Sequence, residues 1–238
     1  MGIETKKLSD QKTTAQQLGR DLSIKLSEIK KSGQNVLLLL SGGSVLEPLM
    51  HIESACLDKH ITISMLDERY DPSNQNSNFI QLTKTEFYRR AKKAGCNFID
   101  TSVKRSQTQK ELGSYFEKQL RNWKKTNKRG IILATLGMGQ DGHIAGIMPY
   151  SENKKLFDKL FCGKNHIVCY DASGKNPYSL RITATATFLK SIDQAFAFIC
   201  GQEKSANFKK ITSPGKISEL PCRTLKQIKN LTIYTDIK

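Results

Sequence analysis

The sequence predicts one α/β domain built on a mostly parallel sheet with helices on its flanks, and three observations carry that expectation. Val36–Leu40 and Ile131–Leu136 are short apolar runs without alternation, the pattern of strands buried on both faces. Helical periodicity fills the stretches between strand-like runs, so the connections read βαβ. Several strand-like runs end in Gly, Ser, Asp or Arg, where open α/β sheets place ligand contacts. A chain of 238 residues suffices for a full hydrophobic core. No repeat, linker or low-complexity tract divides residues 1–238, so a single domain is expected.

The elements follow in order. From Ala15, apolar residues at Leu18, Leu22, Leu26 and Ile29 recur at three- and four-residue steps; this is an amphipathic helix that Gly33 closes. After Val36–Leu40 the chain turns at Ser41-Gly42-Gly43-Ser44 into an expected second helix carrying Leu46, Leu49 and Met50. A strand, a Ser/Gly turn and a helix together can cradle an anion on backbone N–H groups, although many such turns only connect elements. Ile61–Leu66 is the next strand and delivers Asp67, Glu68, Arg69 and Tyr70 at its end. Two acids and an arginine there read as ligand contacts or a surface ion cluster rather than core.

The polar stretch Asp71–Asn78 is a loop whose last Asn residues cap a helix through Phe87 and Ala91. Phe98-Ile99 is a short apolar piece, and a helix from Ser106 carries Leu112, Tyr115, Phe116, Leu120 and Trp123 on one stripe. Trp123 reads as core. Beyond Ile131–Leu136, Lys154–Phe161 is a short helix, Ile167–Tyr170 a strand, and Leu180–Thr185 an alternating strand carrying Arg181. Ala195–Cys200 is a buried strand, Glu203–Ile211 a helix with Lys204 in its first turn, and Leu231–Tyr234 the last strand. A cation in a first turn opposes the helix dipole and costs about a few tenths of a kcal/mol unless an anion sits nearby. Lys204 is therefore a candidate phosphate ligand.

Composition narrows the function classes. No stretch reaches the ~18–20 apolar residues of a membrane span, and the start MGIETKKLSDQKTT lacks a secretory apolar core, so a cytoplasmic protein without membrane contact is expected. Six cysteines are scattered, with no C-x-x-C pair and no zinc-ligand spacing to the four histidines; they read as reduced thiols, and neither a metal nor a cofactor is expected. The net charge is +16, and residues 81–130 hold 14 Lys and Arg against 4 Asp and Glu. That excess lies on segments such as Tyr88–Lys93 and Arg121–Lys125, the solvated faces of amphipathic helices. No zinc finger, RNP-type aromatic strand or basic-region heptad accompanies it, so nucleic acid is not the expected partner; a basic field also suits a phosphorylated substrate.

The stretch Ile131–Pro149 concentrates the chemistry. Gly137, Gly139 and Gly142 permit tight turns and close approach to a ligand, while Asp141 and His143 supply a carboxylate and an imidazole, a group that titrates near neutrality. The plain alternative is a glycine turn with ordinary cap residues. A sharper rival is a dinucleotide fingerprint over Gly137–Gly142, with Asp171 as the ribose acid. Against it, Asp171 lies too far downstream, Pro149 interrupts the required helix, and Asp141 would face a pyrophosphate as a like charge.

Three motifs in this order at three strand ends, Ser41-Gly-Gly-Ser44, Asp67-Glu-Arg69 and Gly137-Met-Gly-Gln-Asp-Gly-His143, resemble the 6-phosphogluconolactonases and, more distantly, the glucosamine-6-phosphate deaminases that share their fold. The resemblance extends through Asn76-Ser-Asn78, Arg181-Ile-Thr183 and Gly201-Gln-Glu-Lys204 to the last strand. It implies a Rossmann-like domain, His143 as general base and Asp141 as its orienting partner. It also implies that Gly42, Gly43, Ser44, Asp67, Arg69, Arg181 and Lys204 meet the phosphate and ring oxygens of a phosphorylated sugar lactone. Hydrolysis of such a lactone requires a base for water, an anion anchor and donors toward the developing oxyanion, and no metal or cofactor. A monomer is expected.

Deaminases resemble F-N-E-P after the histidine region, with a glutamate for ring opening and isomerisation. This chain has His143-Ile-Ala-Gly-Ile-Met-Pro149 and no acid there, which favours the lactonase over a deaminase or a sugar-phosphate binding protein without catalysis. Two departures from the lactonase pattern stand out. S-G-G-S-T-P is here Ser41-Gly-Gly-Ser-Val-Leu-Glu-Pro48, and the usual serine and phenylalanine before the final proline are Gly146 and Met148.

Overall fold

A computed structural model describes residues 2–238. Ten strands form two sheets: β1 Gly2–Lys7, β2 Val36–Leu40, β3 Ile61–Met65, β4 Asp67–Arg69, β5 Asn97–Phe98, β6 Ile131–Gly137, β7 Ile167–Asp171, β8 Leu180–Ala184, β9 Gln194–Phe198 and β10 Asn230–Thr235. The large sheet has seven strands in the order β1-β10-β9-β6-β2-β3-β5, and all its pairings are parallel. The expected Rossmann-like architecture is present.

The core explains the unalternating strands. Leu38 and Leu40 of β2 pack with Leu18, Leu22 and Leu26 of helix α1, Gln11–Lys31. Leu37 and Leu39 pack on the other face with Leu112, Phe116 and Leu120 of helix α4, Gln109–Thr126. Every side chain of β2 is buried, and burying each leucine stabilises the fold by about 1.5–3 kcal/mol. Helix α1 starts where Asp10 accepts from the Thr13 amide at 2.8 Å and stops at Gly33, whose φ of 68° suits glycine. Helix α4 opens with a capping box between Thr108 and Glu111. Trp123 is core, its Nε1–H donating to Thr62 Oγ1 at 3.2 Å. Tyr115 is exposed and lies off the stripe that Leu112, Phe116, Leu120 and Trp123 bury.

Several elements differ from expectation. The segment after Ser41–Ser44 is a run of 3₁₀ turns over Gly43–His51 rather than an α-helix, because Pro48 inside it has no N–H for an α-helical ladder. Met50 is exposed there. The single helix expected after Asn78 is two, α2 Asn78–Thr83 and α3 Glu86–Lys93, and their caps are Ser77 and Thr85 rather than an asparagine. Lys154–Phe161 forms helix α5 and Ala186–Leu189 helix α6. The expected helix at Glu203–Ile211 is a 3₁₀ turn at Gln202–Lys204 followed by the short helix α7, Ser205–Phe208, so the dipole argument for Lys204 loses its helix. Strand β1, exposed along most of its length, carries no apolar signal and was not anticipated.

The second sheet is small and antiparallel, in the order β4-β8-β7. Leu66 alone separates β3 from β4 and ties three strands together: its amide donates to Leu40 O at 2.7 Å and its carbonyl accepts from the Ala184 amide at 2.8 Å. The small sheet therefore stands at the C-terminal ends of β2 and β3.

Candidate active site

The parallel order creates the site. From β2 the chain builds outward through β3 to β5, and from β6 outward the other way through β9 and β10, where β1 adds the edge. The two halves meet between β2 and β6, where the Ser41 amide donates to Thr135 O at 3.1 Å. Loops leaving adjacent strands in opposite directions open a crevice there. A cleft of about 180 Å³ occupies it, lined by Ser41–Val45, Asp67, Arg69, Asn78, Gly137–Gly139, His143, Ala145 and Arg181.

One wall is the Ser/Gly turn. Gly43 has φ 68°, which a side chain would strain, and a Cβ on Gly42 would strike the Asn78 amide. Asn78 is held in turn by Asp67, whose carbonyl accepts from its Nδ2 at 3.0 Å. Val45, buried, forms the base of this wall and packs against Gly137, where an added Cβ would come within 2.6 Å of Val45 Cγ2. The hydroxyl usual in the lactonases at position 45 is thus replaced by an apolar contact.

The floor comes from β4 and β8, whose register sets Asp67 opposite Thr183, Glu68 opposite Ile182 and Arg69 opposite Arg181. Side chains alternate along a strand, so Asp67 and Arg69 face the cleft with Arg181 while Glu68 points away. Arg181 and Asp67 form a buried ion pair. Arg69 lies over the Tyr178 ring, 4.2 Å from its centroid, and its Nε is buried without a hydrogen-bond partner. Two arginines directly opposite each other repel; with one carboxylate between them, a net positive charge is left at the floor. The expectation that the acids of this motif lie outside the core is corrected, since Asp67 is 3% and Glu68 0% exposed.

The opposite wall is the loop after β6. The Gly139 amide donates to His143 O at 2.9 Å and the Gly142 amide to Gly139 O at 3.0 Å. The imidazole folds back so closely that a Cβ on Gly139 would strike its ring. Asp141 Oδ1 meets His143 Nδ1 at 2.5 Å and also accepts from the His143 amide at 3.1 Å. Burial raises the Asp141 carboxyl pKa, but the hydrogen bond and charge of His143 outweigh it, and the net shift is downward. Asp141 stands behind His143, outside the cleft lining.

Two C-terminal segments brace this loop. Asn207 of α7 donates to Gln140 O at 2.8 Å, and the Cys222 amide donates to Gly142 O at 2.9 Å. Gly142, at φ 81°, has Leu220 against the space a Cβ would need. Ala145 lines the cleft at φ 49°, a conformation uncommon for a residue with a side chain. At Gly146, where the lactonase pattern has serine, Thr183 lies close: the Gly146 amide donates to Thr183 Oγ1 at 2.9 Å, and an added Cβ would come within 2.8 Å of Thr183 Cβ. Met148 is wholly buried in the apolar core.

Gly42, Gly43, Ser44, Asp67, Arg69, Arg181 and His143 thus converge on one cleft, with Asp141 immediately behind. Lys204, half-buried just beyond β9, lies outside the lining. Asn78 and Tyr178 were missed as site residues. Asn78 was visible in Asn76-Ser-Asn78 but read as a cap, and Tyr178 sits in a loop with no motif. Among the described residues no cluster of His, Cys, Asp and Glu could hold a metal ion, and no helix is long and apolar enough to cross a membrane.

Known proteins share both the sequence and the architecture. A 6-phosphogluconolactonase of Xylella fastidiosa is 28% identical over 222 residues, covering 91% of this chain and 88% of that protein. The crystal structure of a 6-phosphogluconolactonase from Shewanella baltica superimposes with a TM-score of 0.75 at 16% identity, covering 98% of this chain and 96% of that one. A monomeric glucosamine-6-phosphate deaminase gives 0.70 at 16% identity, covering 99% and 97%, so the fold alone does not separate the two activities. The family model described as glucosamine-6-phosphate isomerases/6-phosphogluconolactonase matches residues 9–234, and the chain belongs to that family.

Proposed function

We propose that the chain hydrolyses 6-phospho-D-glucono-1,5-lactone to 6-phosphogluconate, the lactone-opening step of the oxidative pentose phosphate pathway, with His143 as general base. The observation that carries this reading is the His143–Asp141 pair at a cleft whose other side is cationic and rich in glycine. With Nδ1–H donating to Asp141, the lone pair lies on Nε2, which has the role of accepting a proton from water as its oxygen attacks C1 of the lactone. The tetrahedral oxyanion then collapses, the C1–O5 bond breaks, and the proton on Nε2 passes to the departing ring oxygen. The alkoxide remains tethered to the product, so the reaction needs no separate leaving-group site.

Phosphate is assigned to Gly42, Gly43, Ser44 and Arg69, with Lys204 as an outer anchor. Arg181 and its partner Asp67 are assigned to the ring oxygens. Charge-assisted hydrogen bonds of this kind contribute about 1.5–3 kcal/mol each. Against the deaminase reading, Met148 occupies the place of the glutamate in F-N-E-P and is buried in apolar packing. The acids nearest the cleft are engaged elsewhere, Asp67 with Arg181 and Asp141 with His143.

The test is the rate of lactone opening by the purified chain, with spontaneous hydrolysis subtracted. His143→Ala should lose at least about 100-fold in kcat while remaining folded. Near-normal turnover by that variant removes His143 from the mechanism. Ammonia release from glucosamine 6-phosphate, with no lactone turnover, replaces the lactonase by the deaminase.

A further inference from the structure

Glu68 is the middle residue of Asp67-Glu-Arg69, and the cleft does not use it: it is wholly buried and outside the lining. Its carboxylate nonetheless collects five donors from three segments. Oε1 accepts from the amides of Arg69 at 2.9 Å and Asn78 at 2.5 Å. Oε2 accepts from the Phe79 amide at 2.9 Å and from the hydroxyls of Ser77 at 3.2 Å and Thr101 at 3.1 Å. One buried group thereby joins β4, the start of α2 and the chain beyond β5. Two of the residues it holds by their backbones, Arg69 and Asn78, line the cleft.

We propose that Glu68 is a positioning residue of the cleft: without touching substrate, it fixes the backbones of Arg69 and Asn78 so that the guanidinium of one and the amide of the other face the bound sugar phosphate. The inference rests on the sugar-phosphate reading of the cleft. Burial pushes the Glu68 carboxyl up, the backbone N–H groups of Phe79, Asn78 and Arg69 pull it partway back, and the neighbouring Asp67 adds to the upward push, leaving it at about 7. The five donors offset part of that desolvation cost, and each is committed to the carboxylate in doing so.

The chemistry also requires a carboxylate rather than its isostere. Each oxygen accepts at least one backbone N–H, and a backbone N–H cannot reverse its role. A glutamine at 68 must therefore turn its NH₂ against Phe79 N–H in one orientation, or against both Arg69 N–H and Asn78 N–H in the other. Volume is conserved while the clamp is opened, either at Phe79, the residue next to Asn78, or at the two cleft residues themselves.

The experiment compares wild type, Glu68→Gln and Trp123→Phe, the last a core change beside Thr62, at the opposite end of β3 from Asp67. Measured for each are Tm, kcat and KM for 6-phosphogluconolactone, and hydrogen exchange of the Arg69, Asn78 and Phe79 amides by NMR. In Glu68→Gln, KM should rise on the order of 10-fold with kcat within about 3-fold, and protection at those three amides should fall selectively. Trp123→Phe should lower Tm with KM unchanged. Unchanged KM and protection in Glu68→Gln, or an equal rise of KM in Trp123→Phe, overturns the proposal. Should wild type open no lactone, the functional reading fails by itself; the amide exchange then decides for Glu68, and retained protection refutes the clamp. Should Glu68→Gln not fold, Thr101→Val takes its place, removing one donor: a KM rise of about 3-fold supports the proposal, and no rise refutes it.

Discussion

The two glycine turns that face each other across the cleft are built differently. At Ser41–Ser44 only Gly42 is packed, against Asn78; a Cβ on Gly43 would meet nothing within 4 Å, and the segment it leads into is a 3₁₀ run containing Pro48 rather than a long helix. At Gly137–His143 the turn is packed shut. Gly139 lies against the imidazole, Gly142 against Leu220, and the carbonyls of Gln140 and Gly142 are tied down by Asn207 and Cys222. A surface that binds a phosphate can let the ligand complete its hydrogen bonds. A general base has to be aimed before the substrate arrives, because misplacement of about 1 Å costs rate rather than affinity. Close approach governs most of the second turn, whereas in the first it is confined to Gly42 against Asn78 and Gly43 serves conformational freedom.

Several substitutions would break or sharpen this contrast. Gly139→Ala drives a methyl group into the space of the His143 ring, so kcat should fall on the order of 100-fold with a smaller change in KM; a normal kcat would show that the loop is not packed as described. Lys204→Ala tests the open side and should raise KM about 10-fold or more through a lost charge-assisted contact. A collapsed kcat at unchanged KM would place Lys204 with the base instead. Val45→Thr restores a hydroxyl at the wall of the cradle and should lower KM by a few-fold, at the cost of the apolar contact with Gly137; titration with inorganic phosphate checks the affinity directly.

The smallest effect is one of pH. The Asp141 carboxyl lies below its ordinary 3.8 when folded, so the stability it contributes is present above that value and is lost as pH falls through the lower, folded value. Asp141→Asn removes this contribution. The Tm advantage of wild type over that variant should therefore be present near neutrality and shrink below about pH 4. An advantage that is unchanged in acid would mean that the carboxylate is not held by the imidazole.

Much of this is legible in the sequence. Val36–Leu40 and Ile131–Gly137 are strands because their residues are apolar on both faces, and Asp141 and His143 are two positions apart on one turn, so their meeting is a local matter. Lys204 shows the limit. The dipole argument for it relied on a helix at Glu203–Ile211, but that stretch breaks into a 3₁₀ turn and the short α7, and neither periodicity nor propensity revealed the break; the resemblance through Gly201-Gln-Glu-Lys204 is untouched by it.

By itself, the sequence determined the parallel core, the packing face of α1 and the Gly-Asp-Gly-His turn, each specified by side chains within one element or one loop. Only the tertiary structure decided that Asp67 and Arg69 face the cleft while Glu68 is buried, that Arg181 comes from 114 residues away to pair with Asp67, and that Thr183 takes the space beside Gly146. The reason lies in strand register. One residue of slip in the pairing of β4 with β8 would exchange the cleft-facing and buried side chains, and that pairing depends on contacts between segments that are far apart in the chain.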